Sequence, residues 1–197
     1  MSTRPLLGQL GPALRILVVL TVLLGLAYPL ALTGLAQAIV PGRADGSLMS
    51  LPSGRVVGSG LIGQSFAGDD RYLQSRPSAA GDGYDAMASS ASNLALDSPT
   101  LIAAVRERRA EVAAREGIAP SRVPADAVTA GGSGLDPHIS PAYAAVQVPR
   151  IARERGVSPA AVRRIVAAYT TGRTLGFLGE PRVNVLKVNL ALDRLPG

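Results

Sequence analysis

The sequence predicts an α+β protein: a single N-terminal transmembrane helix, then a small extracytoplasmic domain of about three helices on a small sheet. Three observations carry that prediction. No charged residue lies between Arg15 and Arg43, and the first half of that stretch, ILVVLTVLLGLAYPLAL, is almost wholly aliphatic. Three Ser-Pro pairs, Ser98-Pro99, Ser140-Pro141 and Ser158-Pro159, each have the form of a helix start. In such a pair serine offers a capping oxygen, and proline brings helix-ready φ at a position with no donor to lose. Finally, Arg182 to Leu192 (RVNVLKVNLAL) is rich in β-branched and aliphatic residues, the composition of a strand. The expected divisions are a cytoplasmic leader at 1–12, a membrane helix at 13–40, a linker at 41–55 and the extracytoplasmic domain at 56–197.

The membrane helix comes first in the chain. A bilayer core takes ~20 apolar helical residues to cross, and Ala13 to Leu32 supplies that length. Eleven large aliphatic residues fall between Ile16 and Leu32, giving about −5 kcal/mol toward insertion at roughly −0.5 kcal/mol each. Gly25, Tyr28 and Pro29 subtract from this, but no central charge does. Ala36-Gln37-Ala38 has the small-x-small form of a signal cleavage site. The apolar run of a signal peptide, however, is only ~7–15 residues, and this one is longer. The leader carries Arg4 and Arg15 and no acid, so the positive-inside bias puts the N-terminus in the cytoplasm and the rest outside.

Beyond the helix, Pro41 to Ser53 is rich in Gly, Pro and Ser and reads as a linker. Val56 to Phe66 (VVGSGLIGQSF) fits one or two strands punctuated by glycine turns. Asp69 to Ser98 lacks helical or strand periodicity, and a loop this long within a small domain usually has a job or a partner. Its acids Asp69, Asp70, Asp82 and Asp85 read as a solvated loop or a weak cation-concentrating surface. The first Ser-Pro helix has Leu101, Ile102, Val105 and Val112 on its apolar face, an i,i+4 pair in Glu111 and Arg115, and Gly117 as its stop. Its Arg106, Glu107, Arg108, Arg109 cluster reads as the wet face. The second helix runs through AYAAVQ, is expected to kink or break near Pro149, and stops at Gly156. The third contains AAVRRIVAAYT, and Arg182 to Leu192 then reads as the longest strand.

Composition excludes several functions. There is no cysteine, which removes disulfide and thiol chemistry. The net charge of +6 is carried by 19 arginines and Lys187, spread along the chain. Nucleic-acid readers pair a basic stripe with stacking aromatics, and this chain has no Trp and two Phe. Gly131-Gly132-Ser133-Gly134 resembles a phosphate cradle, yet a P-loop needs Gly-Lys-Ser/Thr opening a helix, so a positive-φ turn is the simpler reading. His138, the one histidine, follows Asp136 by two residues; zinc wants three or four ligands, so a structural histidine holding a loop is favoured. Ser133, His138 and Asp136 name a hydrolytic triad only on paper. A free-standing membrane-anchored hydrolase using Ser133 and His138 is the alternative from another class.

The signatures along the chain resemble the C-subunit family of the Kdp potassium-transporting P-type ATPase. They are Gly58 to Gln64 (GSGLIGQ), Tyr72 with Arg76-Pro77-Ser78, Ser92-Asn93-Leu94, Val128-Thr129, Gly132 to Pro141 (GSGLDPHISP), Gln147 to Arg150 (QVPR), Gly176 to Asn189 (GFLGEPRVNVLKVN) and Leu190 to Asp193. The resemblance implies a non-catalytic accessory subunit of a bacterial or archaeal cell-membrane complex that imports K⁺ at the expense of ATP. Its partners would be a channel-like A subunit, an ATP-hydrolysing B subunit and a small F subunit. The family is described as a catalytic chaperone raising the B subunit's ATP affinity, so the chain would have no cofactor of its own and would share ATP with that subunit. By local motif Gln147 is the nucleotide-contact candidate, although a helix-face glutamine more often bonds a neighbour. Gly132, Ser133, Gly134, Asp136, His138, Arg76, Asn93, Glu180 and Arg182 are the signature-loop and interface candidates; no catalytic or metal residue is implied.

Overall fold

The computed structural model describes residues 4–51 and 53–195, with side chains from Gly8 onward. Met1–Thr3 of the expected leader, Pro52 of the expected linker and the last two residues of the expected domain lie outside them. The chain divides into two compact units between Leu48 and Met49.

The first unit is the apolar helix. Helices α1 (Arg4–Val22) and α2 (Tyr28–Ile39) are joined without interruption by a π-helical turn at Leu23–Ala27. Pro29, one residue into α2, has no N–H to return to Gly25, and a wider π turn just before it accommodates the lost bond. Gly8–Ile39 is long and apolar enough to cross a membrane, with none of its most apolar window buried by the chain itself. A short helix, α3 (Pro41–Ala44), follows; Gln37 donates to Asp45 at 2.8 Å across the bend.

The second unit is α+β, as expected. Its helices are α4 (Pro99–Glu116), α5 (Pro141–Arg155), α6 (Pro159–Ala168) and α7 (Val185–Leu192). All three Ser-Pro starts are helix starts. Ser140 and Ser158 each accept from the backbone N–H three residues on, at 3.0 and 3.2 Å, whereas Ser98 makes no capping bond with its side chain. Gly117 and Gly156 end α4 and α5 at φ 65°, the left-handed stop that glycine takes without strain. Strands β3 (His138–Ile139), β5 (Arg182–Asn184) and β4 (Thr170–Thr171) form an antiparallel sheet in that order, with Ile139 and Thr170 both opposite Val183. Strand β1 (Leu48–Ser50) pairs with β2 (Val56–Ser59) in a separate ribbon. The stretch read as a linker therefore carries α3 and a strand.

Two expectations are corrected. Arg182 to Leu192 is not the longest strand: only Arg182–Asn184 is extended, and Val185–Leu192 is helical. Asn184 explains the switch, since its side chain accepts from Lys187 N–H at 3.0 Å and caps a helix there. Val185, Leu186, Val188, Asn189 and Leu192 then fall on one buried face. Helix α5 also runs through Pro149, so of the kink or break expected there the break does not occur. Pro149 and Ala145, whose carbonyl loses its partner, are both exposed, so the missing bond falls on the solvent side of the helix. The core lies between α4, α5, α6, α7 and β5, with Ile151, Val162, Val183, Val188 and Leu192 fully enclosed. Leu73, from the unpatterned loop, is fully enclosed with them.

Candidate functional site

The stretch Asp70–Gln74 has neither helix nor strand around it, yet Leu73 and Gln74 are buried. Buried backbone groups must find partners, and here side chains supply them. Asn189 on α7 accepts from Leu73 N–H at 2.8 Å and donates to Leu73 C=O at 3.0 Å. Gln147 on α5 does the same for the next residue, accepting from Gln74 N–H at 2.7 Å and donating to Gln74 C=O at 3.2 Å. Each carboxamide behaves as a neighbouring strand would, offering one donor and one acceptor to one peptide residue. Arginines hold the carbonyls before them. Arg150 donates to Asp70 C=O and, at 3.1 Å, to Tyr72 C=O; Arg155 donates to Arg71 C=O at 2.7 Å. Five consecutive carbonyls are thus held by side chains from two helices.

Arg150 is the centre of this clamp. It is 2% exposed, and a guanidinium there must be paired. Glu116, at the end of α4, faces its Nε at 3.0 Å, and Gln147 Oε1 accepts from its Nη2 at 2.9 Å. Arg115 donates to the same Glu116 at 2.8 Å and to the Tyr143 hydroxyl at 3.1 Å. Arg115 thus turns to Glu116 and Tyr143, although the sequence pairs it with Glu111. Burial raises the Tyr143 phenol, keeping it neutral beside these charges. Arg155 lies over the Tyr72 ring, 4.9 Å from its centroid, and pairs with Asp193 at 2.9 Å.

A cleft of about 330 Å³ is lined by Arg76, Asp126, Asp136, His138, Glu180 and Arg182 among others. Asp136 accepts from Arg76 Nη1 at 3.0 Å and from His138 N–H at 3.0 Å, with His138 Nδ1 3.5 Å away. Burial alone would raise the Asp136 carboxyl. The His138 bonds and the Arg76 guanidinium more than offset that, holding it below its ordinary value. Asp126 accepts from Ser140 N–H and Oγ at 2.7 and 2.8 Å, placing a carboxylate at the N-terminus of α5. Tyr84 donates to Arg76 C=O, and burial pushes its phenol up to about 12. Glu180 pairs with Arg173 at 2.8 Å on the surface.

The glycine turn packs as a spacer. Ser133 C=O accepts from Ser90 N–H and Ser89 Oγ, and Gly134 C=O from Ser78 Oγ at 2.6 Å. A Cβ on Gly134, at φ 65°, would lie 2.6 Å from Ala80 N. Ser133 Oγ accepts from Leu135 N–H, while His138 faces Asp136. The serine–histidine bond that a hydrolase needs is absent among the described residues.

A family described as "KdpC: K+-transporting ATPase, c chain" matches residues 10–194 of this chain. The chain belongs to the KdpC family. Proteins named potassium-transporting ATPase KdpC subunit are similar to it nearly end to end. The one from Kineococcus radiotolerans is 56% identical over 95% of this chain and 94% of its own length. That from Beijerinckia indica is 52% identical over 95% and 94%, and that from Acidobacterium capsulatum 51% over 96% and 100%. The chain is therefore the KdpC-type subunit of a K⁺-transporting ATPase.

The KdpC signatures sort into two groups. Arg76, Asp136, His138, Glu180 and Arg182 meet around the cleft, with Gly132, Ser133 and Gly134 in the turn beside it. Gln147 lies apart, wholly enclosed, with both ends of its carboxamide bonded to Gln74 and Arg150. Asn93 is exposed at φ 50° and does not line the cleft. Sequence reasoning met Arg150 and Asn189 only inside signature stretches, not as site residues, and missed Glu116. A signal existed for the first: Gln147 and Arg150 are three apart on the same helix face as Tyr143, Ala144 and Ile151, so that polar pair sits in an apolar stripe. No comparable pattern marks Glu116.

Proposed function

We propose that this chain is a non-catalytic accessory subunit whose extramembrane domain docks on the channel-like and ATP-hydrolysing subunits of the K⁺-transporting ATPase. In this reading the N-terminus is cytoplasmic, Gly8–Ile39 spans the membrane once, and the domain lies outside. Assembly with the A, B and F subunits is its work, and any rise in the B subunit's ATP affinity follows from that assembly.

The observation that supports the reading is the side-chain clamp. It holds Asp70–Gln74 rigidly, while farther along the same loop Met87 and Leu96 stay in solvent, 94% and 92% exposed. A loop anchored at its root that exposes single large apolar side chains farther along suits a subunit contact. Gln147 belongs to that root. A nucleotide would have to displace Gln74 and Arg150 to reach its carboxamide, so its role is to support the loop.

Gln147→Ala and Asn189→Ala, assayed in the purified complex, test this. Both remove one half of the clamp, so their effects on subunit co-purification and apparent ATP affinity should match. Loss of ATP affinity in Gln147→Ala alone would assign Gln147 to nucleotide and overturn the supporting role.

A further inference from the structure

Between β4 and β5 the chain runs out into solvent as a small hairpin, closed by paired backbone bonds of 2.9 Å between Thr174 and Leu178. Its tip is apolar and open: Leu175 is 80%, Phe177 69% and Leu178 50% exposed. The chain has two phenylalanines, and it places one here. Leu175 holds φ 54°, a left-handed conformation that bulky residues avoid. The neighbouring Gly176 is at φ 83°, so the turn needs two positive-φ positions and fills only one with glycine. Strain of this kind persists where a side chain must be presented in a fixed direction.

The chain leading into and out of the hairpin is basic. From Arg155 to Gly179 the sequence contains no acidic residue. Arg163 and Arg164 on α6, which leads into β4, are exposed, as are Arg173 and Arg182 on the stem. Glu180 is the one nearby carboxylate on the stem, and Arg173 neutralises it at 2.8 Å.

We propose that the Thr174–Leu178 hairpin is a docking wedge, seating Leu175 and Phe177 in an apolar recess with an acidic rim on another subunit of the ATPase. Three observations choose that occupant. A bilayer surface accepts apolar side chains in any conformer, whereas a strained turn that fixes their direction answers to a shaped recess. The exposed guanidiniums on α6 and on the stem call for carboxylates opposite. And aromatic residues at the centre of a contact, ringed by arginine, are the side chains that carry interface energy. The proposal rests on the accessory-subunit reading and names the element of the domain that makes the contact.

The test uses the full chain co-expressed with the other ATPase subunits and purified in detergent. Phe177→Ser should weaken its retention in the complex roughly tenfold or more, with the near-ultraviolet signal of the free chain unchanged. Leu175→Gly separates docking from folding. It relieves the strained φ, so the chain should resist urea at least as well as before, yet it should be retained more weakly. Arg163→Glu with Arg164→Glu should slow association and remove much of its salt dependence. If Phe177→Ser and Leu175→Gly complexes stay intact while shortening the 85–97 loop releases the chain, the wedge is wrong and the accessory role stands. If the unaltered chain fails to co-purify with the other subunits, the accessory reading itself falls. Protection of the hairpin from protease by anionic-lipid bilayers, with the detergent complex of Phe177→Ser intact, would make the recess a membrane surface and overturn the proposal.

Discussion

Truncating Asn189 to alanine leaves the N–H and C=O of Leu73 without partners in a site that water does not reach, and Gln147→Ala does the same at Gln74. Each orphaned group costs about 1–3 kcal/mol, so either variant should lower the urea midpoint of the full chain in detergent. Amide exchange at Leu73 or Gln74 should speed up accordingly. Arg150→Met is more severe: it leaves the Glu116 carboxylate, which has no exposed side-chain surface, with Arg115 as its one remaining charge partner, and frees the carbonyls of Asp70 and Tyr72. Breaking a buried pair from one side costs about 3–5 kcal/mol, and adding Glu116→Gln should restore part of it. If the double variant is less stable than Arg150→Met alone, the pairing argument fails. Asp136 sets an acid limit. Its folded pKa is depressed, so its contribution is fully present above its unfolded pKa of about 3.9 and fades as pH falls through the lower folded value. Urea midpoints taken from about pH 5 downward should drop more steeply for the natural chain than for Asp136→Asn. These residues also show where a sequence stops being readable. Gln147 and Asn189 look like ordinary helix-face amides until the loop they hold is folded onto them from 73 and 116 positions away.

The elements with local signals were legible, and those decided by distant contacts were not. Ser-Pro pairs mark the starts of α4, α5 and α6, and glycines the ends of α4 and α5, because these signals lie in the residues at the boundary. The run after Arg182 misleads because valines and leucines suit a strand and a buried helix face equally. Asn184 decides the matter, capping α7 through Lys187 N–H and donating to Gly60 C=O at 2.9 Å. Asn184→Ala should therefore cost about 1 kcal/mol for the cap, plus about 1–3 kcal/mol for orphaning the Gly60 carbonyl. Circular dichroism should register the frayed helix, and an unchanged urea midpoint would count against this account of the strand-to-helix switch. Of the candidate site, the cleft group was legible as a set of signatures but not as a place. Arg76 lies 60 residues from Asp136, and only the fold brings Glu180 and Arg182 to the same cleft. The glycine turn was read correctly as a turn. Its reason is contact, so Gly134→Ala should destabilise through collision with Ala80 as well as through φ.

For the molecule as a whole, the apolar helix and the domain after it make one testable statement about sidedness. The stretch from Gly8 to Ile39 has a mean hydropathy of 2.4 over its most apolar window, and the only charge inside it is Arg15, near its start. Under the proposed orientation Arg15 sits toward the cytoplasm, where a guanidinium reaches the headgroups by extending its stem. The reverse orientation would put Arg4 and Arg15 outside and carry the domain into the cytoplasm, against the same bias. Because the chain has no cysteine, a single one reports its side without interference. Met87, 94% exposed on a loop, is the position to replace. In sealed right-side-out vesicles Met87→Cys should react fully with a membrane-impermeant maleimide, and in inverted vesicles only after lysis. The opposite result would put the domain on the nucleotide side, and Gln147 would then have to be reconsidered as a residue uncovered when the clamp opens.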